Sequence, residues 1–399
     1  MMVTNSSSFI SDELNQLDLL CRRRTMKKLV VRGGQRVRFQ DQDLINFSSN
    51  DYLGISQHPR VKVSAQQAIS VAGASASSSR LICGNLDLHE KLESELAALK
   101  GKDASLVFAS GFTANIGLLS SLVGDGDHIF SDALNHASII DGCRLSRATT
   151  SIFRHGDLEH LENVLKNFRT AGRRLVVSDS VFSMDGDLAD VPGLVKICEH
   201  YDCWLMLDEA HATGVMGSHG GGLVEYFQDR GEVHPDEVGL LMGTLSKALG
   251  SFGGFVASSA PVRDYLINKC RPFIFSTALP PSAVEAALAG LELVRLEPSL
   301  RERLWKNVGL LRKGLEQNGL FSGTSETPIF PVLFESEHRA MEISERLLDH
   351  GFFVAAIRPP SVPQGTSRLR ITVTASHSSS QIEGLVHSLA KVKETLAAD

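Results

Sequence analysis

From about residue 105 onward, short apolar runs recur: SLVF, HIF, LVV, WLML and GLLM. Each is followed by polar or glycine residues and then by a helical pattern. None of the runs alternates apolar with polar residues as a half-exposed strand does. Continuous apolar strands of this length belong to a parallel sheet covered on both faces, and strands alternating with helices define an α/β domain. In such sheets ligands bind beyond the carboxyl ends of the strands, so the residues just after each run are the candidates for function.

At 399 residues the chain is long for one core, and two domains are expected. Its last third changes character. TPIFPVLFE and RLRITVTAS read as strands, and SQIEGLVHSLAKVKETL reads as a helix with Ile382, Leu385, Val386, Leu389 and Val392 inward. The expected division is an N-terminal arm with a short hairpin over 1–48, a large α/β domain over 49–276 and a smaller α+β domain over 277–399. In DLHEKLESELAALKG, Leu88, Leu92, Leu96 and Leu99 share one face, Asp87 and Glu90 fit a capping box, and Gly101 fits the stop. That helix reads as scaffold.

Several function classes fall away. Apolar residues make up 43% and charged residues 22%, an ordinary soluble profile. A net charge of −6 argues against a nucleic-acid binder. The six cysteines form no C-x-x-C pair, so neither a zinc nor a thioredoxin-like site is expected, and reduced thiols in the cytoplasm are. No metal site is expected elsewhere. The N-terminus lacks the basic start and apolar core of a secretory signal. The uncharged run from Ala104 to Gly124 is long enough to span a membrane, yet its serines, threonine and asparagine, with Gly111 between them, read as a buried strand followed by a buried helix.

At the strand ends, WLML leads into DEAHATGV, placing Asp208 at a buried edge with His211 close behind. SLVF leads into ASGFTANIGLL, where Gly111 and Phe112 open a helix whose free N–H groups suit a phosphate. HIF leads to His136, LVV to Asp179 and Ser183, and GLLM to Thr244, Ser246 and Lys247 in GTLSKALGSFGG. Taken singly, each has an ordinary reading: Asp208 as a helix cap, the Gly111 stretch as a tight turn, the histidines as loop residues. Neither a Walker motif nor a dinucleotide fingerprint is present.

Taken together, they suit pyridoxal 5′-phosphate (PLP). That cofactor needs a lysine for a Schiff base, an acid facing its ring nitrogen and a cup for its phosphate. Small neighbours and glycines around Lys247 let the amine move and let a flat ring approach.

DEAHATGV followed by SKALGSFGG resembles the α-oxoamine synthases, a branch of the fold-type I PLP enzymes. NFSSNDYLG, SRLICGN and FSTALPP match the same branch, and the likeness runs from about residue 20 to the end. It implies a large, mostly parallel seven-stranded domain and a smaller α+β domain. It also implies decarboxylative condensation of an amino acid with an acyl thioester. IRPPSVPQGTSRLRITVTASH looks most like the member that takes L-alanine and pimeloyl-CoA or a pimeloyl-carrier protein.

The resemblance assigns roles. Lys247 matches the Schiff-base lysine and base, Asp208 the partner of the ring nitrogen, and His136 the histidine stacked on the ring. His211 and Ser183 match the residues at the ring hydroxyl. Gly111, Phe112 and Thr244 match the phosphate cup, with Ser276 and Thr277 reaching it from the neighbouring subunit of a homodimer. Asn50 and Arg370 match the groups that hold the substrate carboxylate, and Arg22 a basic position near the acyl substrate. Ser361, where threonine is common, counts with the substrate residues. Alternation in RLRITVTAS puts Arg370 on the polar face with Arg368, and Arg368 is expected to be solvated. Three alternatives stay open: the family's glycine-and-acetyl-CoA ligase, a catalytically silent subunit, and a dinucleotide-binding oxidoreductase.

Overall fold

The computed structural model describes residues 8–168, 171–321, 323 and 325–398. They divide into two compact units: residues 50–304, and the described residues before 50 together with those from 305 onward.

In the larger unit seven strands form one sheet. Their order is Ala104–Phe108, Gly254–Ser258, Leu240–Thr244, Trp204–Asp208, Arg174–Asp179, His128–Asp132, Thr149–Phe153. All neighbours pair in parallel except Gly254–Ser258, which runs antiparallel to both strands beside it. Every strand expected from the apolar runs is present, and two more extend the set. Thr149–Phe153 lacks an apolar run because it is an edge strand with mostly uncovered side chains. Gly254–Ser258 is masked in the sequence by the glycines before it, which read as part of the lysine loop.

Both faces of the sheet are covered, as continuous apolar strands require. Leu106 and Phe108 point into a cluster with Ala114, Leu118 and Leu122 of helix Gly111–Leu122. Just before them, Ser105 reaches the other way, its hydroxyl donating to the Glu93 carbonyl of helix Asp87–Lys100. The uncharged run from Ala104 to Gly124 is thus a strand and a helix, and no described helix is long and apolar enough to cross a membrane.

Helix Asp87–Lys100 departs from its expected details. Asp87 is already helical; the cap is Leu86, whose backbone N–H donates to His89 Nδ1. Gly101 does stop the helix, at φ 61°. More consequential are its two buried charges. Glu93 takes both guanidinium nitrogens of Arg80, at 2.9 and 3.0 Å. Lys100, fully buried, contacts Glu209 Oε2 at 2.5 Å, Thr213 Oγ1 at 2.8 Å and the Gly221 carbonyl at 2.5 Å. A lysine with three acceptors and a carboxylate that also receives the Val224 N–H form a satisfied pair.

The boundary expected after residue 48 falls after Ser49, but the one expected at 277 lies between 304 and 305. Helix Pro281–Leu296 is the reason. It packs on helices Pro59–Ala72 and Asp87–Lys100 of the large unit. At Gly290 it comes so close to the lysine loop that an added Cβ would meet the Leu249 carbonyl oxygen at 2.3 Å. Only glycine permits that approach.

In the smaller unit, strands Val30–Gly33, Arg36–Phe39 and Gln42–Asn46 form a sheet with Phe352–Phe353. The expected hairpin is therefore present, and helix Ser8–Leu19 precedes it. A second sheet sets Ser367–Thr372 between Ile329–Phe334 and Ala355–Ile357. Helix Ser379–Ala398 buries Ile382, Leu385, Val386, Leu389 and Val392, as its pattern predicts. Arg368 is not solvated as expected: its strand is central, and the residue is 3% exposed, with Nε donating to the Thr366 carbonyl at 2.9 Å.

Replacing Lys100 with methionine should lower unfolding free energy by about 3–5 kcal/mol, because Glu209 is left buried without its cation. Urea denaturation checks this; a change under about 1 kcal/mol would show that the pair contributes little.

Candidate active site

Five strand ends converge on a cavity of about 200 Å³ in the large unit. Its wall includes Gly111, Phe112, His136, Ser183, Asp208, His211, Thr244 and Lys247, the residues singled out at the strand ends in the sequence. Asp179 and Ser246 line it too.

Asp208 is the last residue of its strand and is 5% exposed. Its carboxylate accepts from Asn115 Nδ2 at 2.8 Å and from the Ala210 N–H at 2.9 Å. Both donors are neutral, so these two hydrogen bonds bring no positive charge to the buried carboxylate. Asn115, fully buried in helix Gly111–Leu122, also donates to Ser138 Oγ at 2.9 Å, and its Oδ1 has no partner among the described residues. Beside it lies Asp179. Burial pushes the Asp179 carboxyl well above the usual range, and the charge of Asp208 acts in the same direction, against Lys247.

The two cavity histidines are held differently. His136 caps helix Ala137–Ser146: its Nδ1 accepts the Ser138 N–H at 3.2 Å. An accepting Nδ1 leaves the neutral ring with its proton on Nε2. Burial holds His136 below the usual histidine range, with Asp208 pulling up and Lys247 pushing down. The edge of Phe112 meets the ring at 6.5 Å between centroids, 81° between planes. His211 Nδ1 lies 2.6 Å from the hydroxyl of Tyr52, a fully buried side chain. That hydroxyl has one proton: given to Nδ1 it leaves the His211 Nε2–H as the donor for the cavity, and given to Asn50 Oδ1 it makes Nδ1 the donor and leaves Nε2 as an acceptor.

A phosphate cup needs N–H groups at a helix start and room for backbone approach. Ser110 caps helix Gly111–Leu122 by accepting the Thr113 N–H at 3.1 Å. A Cβ on Gly111 would meet Thr244 Cγ2 at 2.6 Å, and one on Gly254 would meet the Gly111 nitrogen at 2.6 Å. Larger residues at either position would close this corner.

The remaining sequence-derived residues lie outside the cavity lining. Asn50 accepts from the Tyr52 hydroxyl at 3.3 Å, one residue removed from His211. Thr277 bridges to Ser79, beside Ser276. In the smaller unit, Arg370 is 7% exposed and its Nη1 donates to Thr372 Oγ1 at 3.1 Å. Arg22 pairs through Nε and Nη2 with Glu337 Oε1, at 3.2 and 2.8 Å. Ser361 Oγ accepts from Arg24 Nη2 at 3.1 Å. Residues that the sequence reading missed are Asn115, Ser138 and Tyr52. Tyr52 stands inside the quoted NFSSNDYLG, so a signal existed; Asn115 sits on a helix face with nothing around it to mark it.

These residues fit PLP. Asp208 offers a buried carboxylate to a protonated ring nitrogen, the Gly111 corner offers N–H groups to a phosphate, and Lys247 stands on the same wall.

Residues 42–389 match the family Aminotransferase class I and II. The 8-amino-7-oxononanoate synthase of Lysinibacillus sphaericus is 48% identical over 346 residues, which is 87% of this chain and 88% of that protein. The enzyme of that name from Anaeromyxobacter dehalogenans is 45% identical over 393 residues, 98% of this chain and 97% of that one. Serine palmitoyltransferase from S. paucimobilis, solved with a bound PLP–myriocin aldimine, matches with a TM-score of 0.92 at 29% identity, over 100% of both chains.

Replacing Asn115 with alanine removes one of the two donors to Asp208. PLP affinity should fall about tenfold, the size of one lost hydrogen bond to a charged group. Spectral titration of the apoprotein with PLP measures it, and an unchanged affinity would refute the support role.

Proposed function

Since this chain belongs to the class I and II aminotransferase family, and within it to the 8-amino-7-oxononanoate synthases, we propose that it joins L-alanine to a pimeloyl thioester in biotin biosynthesis. It is a PLP-dependent acyltransferase. The observation that carries the reading is the identity of 45–48% to enzymes of one activity over most of the chain, against 29% to the serine palmitoyltransferase that shares the fold.

When bound, PLP supplies an aldehyde that takes up an amine and a ring that draws off electrons. Everything else falls to the side chains. Asp208 would keep the ring nitrogen positive, His136 would cover the ring face, and His211 with Ser183 would serve the ring hydroxyl. Gly111, Phe112 and Thr244 would hold the phosphate. Lys247 would hold the cofactor's aldehyde covalently, and its amine would take the α-proton of alanine. The α-carbon then attacks the thioester carbonyl. A carbon–carbon bond forms, the carbon–sulfur bond breaks and the thiol carrier leaves. Carbon dioxide departs from the former carboxylate, and a proton returned to the α-carbon completes the amino ketone. The family resemblance would give Arg370 and Asn50 the alanine carboxylate, and Arg22 and Ser361 the acyl substrate.

The proposal includes a homodimer in the cytoplasm. Ser276 and Thr277 would complete the phosphate cup of the neighbouring subunit, and exposed apolar side chains flank them: Phe275 at 69% and Ile82 at 80%. All six cysteines are free, as a reducing compartment requires. Sedimentation at twice the chain mass of 43.3 kDa is expected.

Incubation with L-alanine and pimeloyl-CoA should yield the amino ketone by mass spectrometry, and glycine with acetyl-CoA should not. The reverse pattern would overturn the substrate assignment. Lys247→Ala should lower turnover at least about 10³-fold and abolish borohydride trapping of the cofactor. Normal turnover by that variant would refute the role given to the lysine.

A further inference from the structure

One histidine outside the cavity lining is held by two carboxylates at once. His155 follows the edge strand Thr149–Phe153. Its Nδ1 lies 2.9 Å from Asp132 Oδ1 and its Nε2 lies 2.8 Å from Asp187 Oδ2. A carboxylate accepts and does not donate, so both ring nitrogens must carry protons, and the ring is an imidazolium. The edge of Phe182 closes on it, with 4.3 Å between centroids and 79° between planes.

The two carboxylates belong to the segments that carry cavity residues. Asp132 ends its strand and opens the loop to His136; the same carboxylate also accepts the Leu134 N–H at 2.8 Å and the Gly156 N–H at 3.0 Å. Asp187 closes the hairpin that carries Ser183, where Phe182 N–H donates to the Asp187 carbonyl at 3.1 Å and Val181 bridges to Leu188. Asp132 is almost fully buried, at 2% side-chain exposure, whereas His155 at 28% and Asp187 at 32% keep an outer edge toward solvent. The charge next to the ring on its own loop, Arg154, is engaged by Asp157 at 2.7 Å.

We propose that His155 is a positioning residue: held as an imidazolium between Asp132 and Asp187, it fixes the His136 loop and the Ser183 hairpin at the spacing that cofactor binding needs. The proposal rests on the reading that His136 and Ser183 contact PLP. Two bridging charge-assisted hydrogen bonds suit this task better than packing, because they set distance and direction together.

The bridge has a pH signature. The hydrogen bond to Asp132, then that to Asp187, raises the His155 pKa from 6.5 to about 10. A group whose folded pKa is raised contributes stability that is fully present below pH 6.5 and lost as pH rises through about 10.

Apoprotein of the wild type, His155→Gln and His155→Arg is titrated with PLP, and its thermal unfolding is followed at pH 8 and at pH 10.5. His155→Gln should raise the PLP dissociation constant about tenfold or more while circular dichroism stays native. His155→Arg, which keeps a positive charge with several donors, should recover most of that affinity. It should also lose less melting temperature than the wild type between the two pH values. Wild-type affinity in His155→Gln, or an arginine variant as weak as the glutamine one, overturns the proposal. His136→Ala is titrated alongside. Loss of affinity there with none at His155 sinks the bridge alone; no loss at either site sinks the cofactor placement beneath it.

Discussion

A carboxylate buried at the end of a parallel strand needs compensation, and Asp208 takes it from two neutral hydrogen bonds inside a cavity that Lys247 also lines. Its neighbours in the fold supply two neutral hydrogen bonds and an aspartic acid whose own ionisation is suppressed. That arrangement holds a negative charge in place without satisfying it fully, which suits a heterocycle that must stay protonated. Glu209, next in the chain, is treated in the opposite way. It receives a fully buried lysine and a backbone N–H, and it serves the scaffold. Consecutive carboxylates thus turn to opposite surroundings, one left receptive and one closed.

Histidine shows the same dependence on environment. His136 accepts a backbone N–H and is neutral. His211 shares a short contact with a buried tyrosine hydroxyl, which governs the nitrogen it offers to the cavity. His155 lies between two carboxylates and is charged. The His136 partner is local, the N–H of Ser138, whereas those of His211 and His155 come from remote parts of the chain.

Five strands of the sheet were legible because a strand covered on both faces reads as an uninterrupted apolar run; the equally buried Gly254–Ser258 was hidden by the glycines before it. Thr149–Phe153 escaped for the converse reason, since an edge strand with open side chains carries no such run. The strand-end candidates were also legible, since topology alone sends each of those loops to one edge. Asn115 was not, because an asparagine on an otherwise apolar helix is indistinguishable from one that faces water until the helix is docked. Helix Pro281–Leu296 was assigned to the wrong side of a boundary on composition, whereas its contacts at Gly290 join it to the lysine loop.

By itself, the order of residues determined the architecture, the edge at which the strand-end residues gather, and the lysine and aspartate that line one cavity there. Periodicity and strand-end position are local properties, and they survive in one dimension. Protonation states, the pairing of Lys100 with Glu209, and the clasp of His155 by Asp132 and Asp187 were decided only in three dimensions. Each depends on distances of about 3 Å between groups far apart in the chain, and hydrogen bonding falls off too steeply with distance and angle for spacing along the sequence to specify it.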